Sequence, residues 1–385
     1  MSLHFDKEEF AARQQRLQTK MEENKLDAML LFAQESDYWL TGYDTFGFCF
    51  FQCLVFLANG DKVLLTRSAD ERQARHTSNI SDIRTWAERG EASPIKQLKD
   101  ILFEMDLLGK RIGVEYHTHG MTGAIGIELN SQLSSFANLV DASTLIPNLR
   151  AIKSDAEIAC IRAAGELTDK AFGAALEVIR PGVNEGMILA AMHNAIFEGG
   201  GDYAANEFVI GSGRDALLCR YKSGRRNLEA NDQLTLEWAG AYRHYHAAAM
   251  KTVLLGKPTP RHLDMYKAVS EALVAVEEAM VPGNTFGDLF DAHAHTVDKH
   301  GMTEHRLNAC GYSLGARFTP SWMDMPMAYR GNPAPLQENM VVFQHMILAD
   351  SVTETAMTLG RTYLITNGAP ESLSALSLDL PVIAG

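Results

Sequence analysis

The sequence predicts an α+β chain in two parts: a smaller α/β domain over residues 1–150, then a larger domain over 151–385 built on a curved antiparallel sheet. Three observations predict it. Strand-like and helix-like stretches alternate up to about residue 148. The segment IPNLRAIKSDAEI then reads as a crossing, because Ser154 and Glu157 form a capping box that opens a new long helix. Beyond it, several strand candidates follow one another through hairpin-like connections as well as helices.

In the first domain, Asp6 followed by Glu9 opens a helix whose Phe10, Gln14, Leu17 and Met21 share one face. AMLLFA reads as a strand. FQCLVFLA and DKVLLT form a hairpin about Asn59-Gly60, a pair suited to a two-residue turn. Ser93-Pro94 starts another helix, since proline's missing donor costs little in the first turn, and RIGVEY after Gly109 is a further strand. In the second domain the capped helix runs to about Arg180, where Pro181-Gly182 stops it, and a second helix covers roughly Asn184 to Phe197. Strands follow at DQLTLEWAG and AAMKTVLLG, then a helix over LDMYKAVSEALVAVEEAM ended by Pro282-Gly283, then strands at NMVVFQHMIL and GRTYLIT. There is no repeat, no GxGxxG and no P-loop.

Composition narrows the function. With 385 residues, 46% hydrophobic and 22% charged, the chain has material for two domains and little for long disorder. A formal charge of −13 excludes a nonspecific polyanion binder, so no nucleic-acid partner is expected. The charged N-terminus lacks the apolar core of a signal peptide, and no apolar run is long enough for a bilayer, so a cytoplasmic protein without membrane partners is expected. Five cysteines in a chain of this size read as ordinary thiols, and Cys49 and Cys53 have no second pair to make a metal site.

The stretch TLEWAGAYRHYHAAAMKT holds the chemistry. In a strand, Thr235, Glu237 and Ala239 share one face, and Leu234, Leu236 and Trp238 the other. Glu237 is a carboxylate in an otherwise apolar strand, either a satisfied structural group or a working one. After a turn at Gly240, Tyr242, His244, His246 and Ala248 alternate with Arg243, Tyr245 and Ala247. His244 and His246 could pair on a metal, but the alanines after them add no ligand, so substrate contact or core packing competes. His345 lies in the apolar VVFQHMIL, as a core histidine or a general acid or base. HAHTVDKHGMTEHR matches neither HExxH nor a zinc-finger spacing and reads as a helix with solvated histidines, with metal binding as the lesser alternative. Arg214, Arg220, Arg225 and Arg226 with Lys222 form a basic patch able to receive a substrate carboxylate.

Taken in order, IKSDAEIACIRAAGELTD, GSG, LEWAG, YHAAAMKT, CGYSLG, NMVVFQHM and GRTYLITNG behind a smaller α/β domain resemble the creatinase/prolidase/methionine aminopeptidase family. The resemblance covers essentially the whole chain. It implies a "pita-bread" catalytic fold behind an N-terminal domain. In the metal-dependent members an Asp, a second Asp, a His and two Glu hold the metals. Those places fall on Glu237, on Ala248 eleven residues later, on Tyr312, on His345 and near Gly360. Only Glu237 and His345 could ligate, so no metal and no other cofactor is expected. In the metal-free creatinase a histidine acts as base, and its place falls on Arg220.

Within the family, YWLTGYDTFGFCFFQ, RSADERQARHTSNI and GRDALLCRYKSGRRNLEANDQLTLEWAG resemble the branch that opens the cyclic amidine ectoine to an N-acetyl-diaminobutyrate. That resemblance implies a small zwitterionic substrate, with Glu237 as nucleophile or general base. His345 would protonate the departing nitrogen or activate water, and Tyr312 would donate a hydrogen bond. It further implies that Arg220 holds the substrate carboxylate, that Trp238, Tyr38 and Phe46 stack on the flat cation, and that Asp44 touches substrate, with His244 and His246 in support. A homodimer, in which the N-terminal domain completes the partner's pocket, is the assembly expected from the family. The alternatives left open are a metal-free hydrolase of another amidine, a metallopeptidase with displaced ligands, and a non-catalytic scaffold.

Overall fold

A computed structural model describes residues 3–90, 93–220 and 225–385, and the chain divides into two compact units, Met1–Arg150 and Ala151–Gly385. Unit 1 carries a six-stranded sheet in the order β4-β3-β2-β1-β5-β6. Its strands are β1 (Ala28–Leu31), β2 (Cys53–Leu57), β3 (Lys62–Arg67), β4 (Asp82–Trp86), β5 (Arg111–Val114) and β6 (Asn138–Asp141). The helices are α1 (Lys7–Glu23), α2 (Gln34–Thr41), α3 (Glu71–Thr77), α4 (Pro94–Glu104), α5 (Gly123–Leu133) and α6 (Leu145–Ala151). Both faces of β1 are buried, which is why AMLLFA shows no alternation. Ala28 and Leu30 join the core with α4 and α5, while Met29 and Leu31 join Leu17, Met21 and Trp39 on the other side.

The caps form much as the sequence implies. Asp6 accepts from the Glu9 amide, although the Glu9 side chain turns forward to Arg13. The β2–β3 turn differs: Leu57 N donates to Asp61 O, leaving three residues in the loop, with Gly60 at φ +92°. A left-handed third residue suits a three-residue hairpin, so Asn-Gly serves here one position later than in the two-residue turn.

Unit 2 is built on an antiparallel path β11-β10-β12-β13-β9-β8-β7. These strands are β7 (Val209–Ser212), β8 (Asp232–Tyr242), β9 (Tyr245–Leu255), β10 (Ala309–Ser313), β11 (Asp324–Tyr329), β12 (Val341–Asp350) and β13 (Thr355–Leu364). Two short strands, β14 (Glu371–Ser372) and β15 (Val382–Ile383), add to β13 and β9. Helices α7 (Asp155–Val178), α8 (Glu185–Glu198), α9 (Pro260–Ala279) and α10 (Phe286–Lys299) complete the unit. The Ser154–Glu157 capping box is present, and Glu157 also accepts from Tyr245 Oη at 2.7 Å, tying the start of α7 to β9.

The helices cover one face of this sheet. α7 lies on β8 and β9, α9 on β12 and β13, and Met346, Leu348, Met357 and Leu359 pack with α9 and α10. Gly240 is not a turn. It lies inside β8, where a Cβ would stand 2.1 Å from the Ala164 carbonyl oxygen, so its bare backbone is what lets α7 approach. The hairpin turns instead at Arg243 and His244, both left-handed at φ 50° and 64°. That places the two-residue loop between Tyr242 and Tyr245 with the twist a tight hairpin needs.

Candidate functional site

The face of the sheet opposite the helices carries the candidate site. Strand register sets Val209, Glu237, Met250, Gly360 and His345 in one row across β7, β8, β9, β13 and β12. Tyr312 on β10 lies opposite Phe343, one same-face step from His345. Ala248, opposite Ala239, is one same-face step from Met250, so all five places that the family resemblance implies share this face, on strands up to about a hundred residues apart. Tyr312 Oη donates to Glu237 Oε1 at 3.3 Å, and Trp322 Nε1 donates to Tyr312 Oη at 2.8 Å. The rings of Tyr312 and His345 are 5.6 Å apart.

Charge in the site follows from burial. Glu237 still meets solvent with part of its side chain, yet desolvation by the surrounding protein lifts its carboxyl to about 7, opposed by the Arg220 charge and the Tyr312 hydrogen bond. His345 is 8% exposed and its Nδ1 has no hydrogen-bond partner among the described residues. Burial, then His293 and Arg220, hold it down to about 3. His345 is therefore a neutral imidazole at neutral pH. That changes its expected part: it can accept a proton, but holds none to give until it has taken one. Tyr312 is pushed up by burial and by Glu237, so it stays a phenol and a donor. The Arg220 charge bears on Glu237, Tyr312 and His345 alike, though its side chain is exposed. The partly buried Cys219 thiol also lies close enough to feel Glu237. Two other arginines of the patch are engaged elsewhere. Arg214 pairs with Glu354 at 3.2 Å and Arg226 with Asp232 at 3.1 Å; Lys222 lies outside the described residues.

Several expected contacts do not survive. Trp238 is fully buried on the helix side, stacked on Phe172 at 5.1 Å with Nε1 donating to Thr168 O at 2.9 Å. Strand alternation puts it on the face opposite Glu237, so it cannot stack on a substrate bound there. His246 is buried too, its Nε2 accepting from Ala205 N at 2.9 Å and its Nδ1 facing Gly315 O at 3.4 Å. His244 sits in the turn, half-buried, stacked on Phe318 at 4.3 Å. The two histidines thus do not form a pair of ligands, because one is in a strand and the other in a left-handed turn. In unit 1, Tyr38 is 1% exposed with its hydroxyl 2.9 Å from His4 Nδ1, closed inside that unit and unable to stack on a cation. Asp44 is half-buried and Phe46 is 82% exposed. The histidines of α10 are not all solvated: His293 is 1% exposed, its Nδ1 3.0 Å from Met346 Sδ.

The metal ligands of the resembling family do not fit these residues. Ala248 and Gly360 have no donor, and Tyr312 is a buried phenol. A Cβ on Gly360 would lie 2.9 Å from the Phe343 ring, which fills the space a ligand side chain would need. Among the described residues no group of three or more His, Cys, Asp or Glu side chains is placed to hold a metal. One carboxylate, Glu237, remains where two metals would require bridging carboxylates.

Sequence reasoning missed Trp322, the partner that fixes the Tyr312 hydroxyl. A lone tryptophan between Pro320 and Pro326 in a polar loop was the available signal, since indoles are seldom spent on loops without a contact. Thr235, placed on the Glu237 face by strand alternation, has a buried hydroxyl with no partner among the described residues.

Residues 159–367 match the model of metallopeptidase family M24, and residues 13–152 that of the creatinase/prolidase N-terminal domain. The chain belongs to metallopeptidase family M24. It is 28% identical to an uncharacterized hydrolase/peptidase, y4tM, of Sinorhizobium fredii, over 99% of both chains. It is 27% identical to the ectoine hydrolase of Halomonas elongata, over 97% of both, and 23% identical to a Xaa-Pro dipeptidase of Pyrococcus horikoshii, over 84% of this chain and 85% of that one. Among solved structures, a prolidase from Thermococcus sibiricus superposes with a TM-score of 0.87 at 18% identity, covering 97% of this chain and 99% of that one. An X-Pro aminopeptidase from Thermotoga maritima gives 0.84 at 20% identity, covering 96% and 99%. At such identities these neighbours establish the pita-bread fold. Membership makes the chain a hydrolase of this family, and no described helix is long and apolar enough to cross a membrane.

Proposed function

We propose that this hydrolase opens the cyclic amidine of ectoine to N-acetyl-2,4-diaminobutyrate without a metal. The observation that carries the reading is the single carboxylate Glu237, held by Tyr312, on a sheet face where Ala248 and Gly360 stand in the family's ligand places. A dinuclear centre would repel an amidinium, whereas an ionised carboxylate about 4 Å from it attracts it by up to about 4 kcal/mol at an effective dielectric constant of about 20. The similarity to the Halomonas enzyme supports the substrate.

The steps follow from the protonation states. The arriving cation favours the ionised form of Glu237. On the water route the carboxylate takes one proton from the water as the C–O bond forms at the amidine carbon. It passes that proton to the departing ring nitrogen as its C–N bond breaks, while neutral His345 accepts the second water proton as the acetamide carbonyl forms. On the covalent route the carboxylate itself adds to the amidine carbon, and a water gives its proton through His345 to the departing nitrogen. The hydroxide left behind attacks the adduct and releases Glu237. Arg220 receives the substrate carboxylate. The site completes in a homodimer, with the loop bearing Asp44 and the exposed Phe46 supplied by a second copy of the chain.

The test is to strip the protein of metal, incubate it with ectoine and follow ring opening by mass spectrometry. Turnover that survives chelation is expected. No ring opening under any condition overturns the ectoine reading, and activity only after metal is restored overturns the metal-free one. An intact-protein mass raised by one substrate, trapped at early times, separates the covalent route from water activation.

A further inference from the structure

Two aromatic side chains, Trp322 and Tyr312, form a hydrogen-bonded chain ending on Glu237 that has only one possible direction. An indole N–H donates and never accepts. Trp322 Nε1 lies 2.8 Å from Tyr312 Oη, so the tyrosine oxygen is the acceptor there and its own hydrogen must point elsewhere. The group it meets is Glu237 Oε1, at 3.3 Å. Trp322 and Tyr312 are 1% and 3% exposed, so water does not compete for the bond between them.

Trp322 is itself held. It lies in the connection between β10 and β11, and its backbone N–H donates to Asn206 Oδ1 at 3.0 Å. His246, 6.3 Å from the indole, clamps the two flanking loops. Its Nε2 accepts from the Ala205 amide, so that nitrogen carries no hydrogen, and the Nδ1–H faces Gly315 O. Burial holds this imidazole neutral, down to about 3, so the clamp keeps one tautomer through the working pH range.

We propose that Trp322 is a positioning residue that locks Tyr312 as a donor to Glu237 Oε1, capping that oxygen and leaving Oε2 to meet the substrate. The capped oxygen has one lone pair engaged, whereas the lone pairs of the open one stay free to meet the substrate. The inference rests on Glu237 being the working carboxylate, but its test is made on the free protein. Besides Tyr312 from β10, the titratable groups that bear on Glu237 are Cys219 and Arg220 from the loop after β7, with His345 from β12 beside the Tyr312 ring. None of them is altered by the substitutions used.

Glutamate labelled with carbon-13 at the side-chain carboxyl, with the Glu237 signal assigned by its loss in Glu237→Gln, is titrated from about pH 5 to about pH 9. Trp322→Phe keeps the aromatic packing and removes the donor. It is expected to raise the Glu237 midpoint by about half a unit to one unit, as loss of one charge-directed hydrogen bond does. Tyr312→Phe is expected to raise it at least as far, and adding Trp322→Phe in that background to change nothing more. A Trp322→Phe shift that is absent, or that persists undiminished without Tyr312, overturns the proposal. Should Trp322→Phe fail to fold, the indole N–H of Trp322, one of four in the chain, reports instead. In Tyr312→Phe it loses its acceptor, so its resonance moves and exchanges faster with solvent; an unmoved resonance overturns the proposal. Failure of ectoine turnover would remove the substrate and leave these titrations standing.

Discussion

Glu237→Gln is expected to make the free protein more stable at neutral and alkaline pH while ending its chemistry. Burial lifts the Glu237 carboxyl from an ordinary 4.5 to about 7 in the folded state, so the native chain holds a proton there that the unfolded chain has lost. For a raised carboxyl, the favourable contribution is complete below the unfolded value and disappears as pH climbs through the folded one. The window is therefore about 4.5 to 7. A difference of about 2.5 units at 1.36 kcal/mol each is about 3 kcal/mol, and solvent contact of part of the side chain reduces this to about 2 kcal/mol. Glutamine is neutral throughout, so subtracting the wild-type from the variant unfolding free energy isolates this one group from the other titrating side chains. Denaturant unfolding at a series of pH values is the assay. The variant's advantage is expected to grow by about 2 kcal/mol across the window and then level off. A difference flat with pH, or one that favours wild type as pH rises, would refute the burial argument. A cationic amidine that binds without reacting is expected to restore the wild type at high pH and leave Glu237→Gln unaffected, because only an ionised carboxylate gains from the cation.

The other expectations concern the walls of the site. Arg220→Ala is expected to raise KM roughly 10- to 100-fold with a smaller fall in kcat, measured by steady-state turnover, because a charge that holds the substrate carboxylate acts before the transition state. Ala248→Asp with Gly360→Glu is expected to yield no stoichiometric metal by elemental analysis. It is also expected to cost roughly 2 kcal/mol or more in unfolding, since the new side chain at 360 meets the Phe343 ring. Gly240→Ala is expected to destabilise unit 2 by about 1–3 kcal/mol, read as a lowered denaturation midpoint, because its Cβ collides with the Ala164 carbonyl of α7.

Local chemistry was readable from the order of residues alone. The Ser154–Glu157 box, the stop at Pro181-Gly182 and the alternation around Glu237 depend on neighbours a few positions apart, and the structure forms them in place. The two-part α+β plan and the loss of ligands at Ala248 and Gly360 were legible for a similar reason: a missing side chain is visible without knowing what surrounds it. The environment of each side chain was not. Gly240 looked like a turn because glycine permits one, but helix α7 pressing on β8 required a glycine there, and the turn moved to Arg243-His244. Trp238 adjoins Glu237 in sequence and Trp322 reaches its partner in space: strand alternation sends the first to the helices, and a distant loop brings the second to the site. His345 kept its place but not its expected proton, because the cost of burying its charge is set by everything packed around it. Residue type and order determined which groups this protein owns, and the family resemblance which metal ligands it lacks. Only the tertiary structure decided who touches whom and who holds the proton, since desolvation and hydrogen-bond direction arise from packing between segments that the sequence keeps far apart.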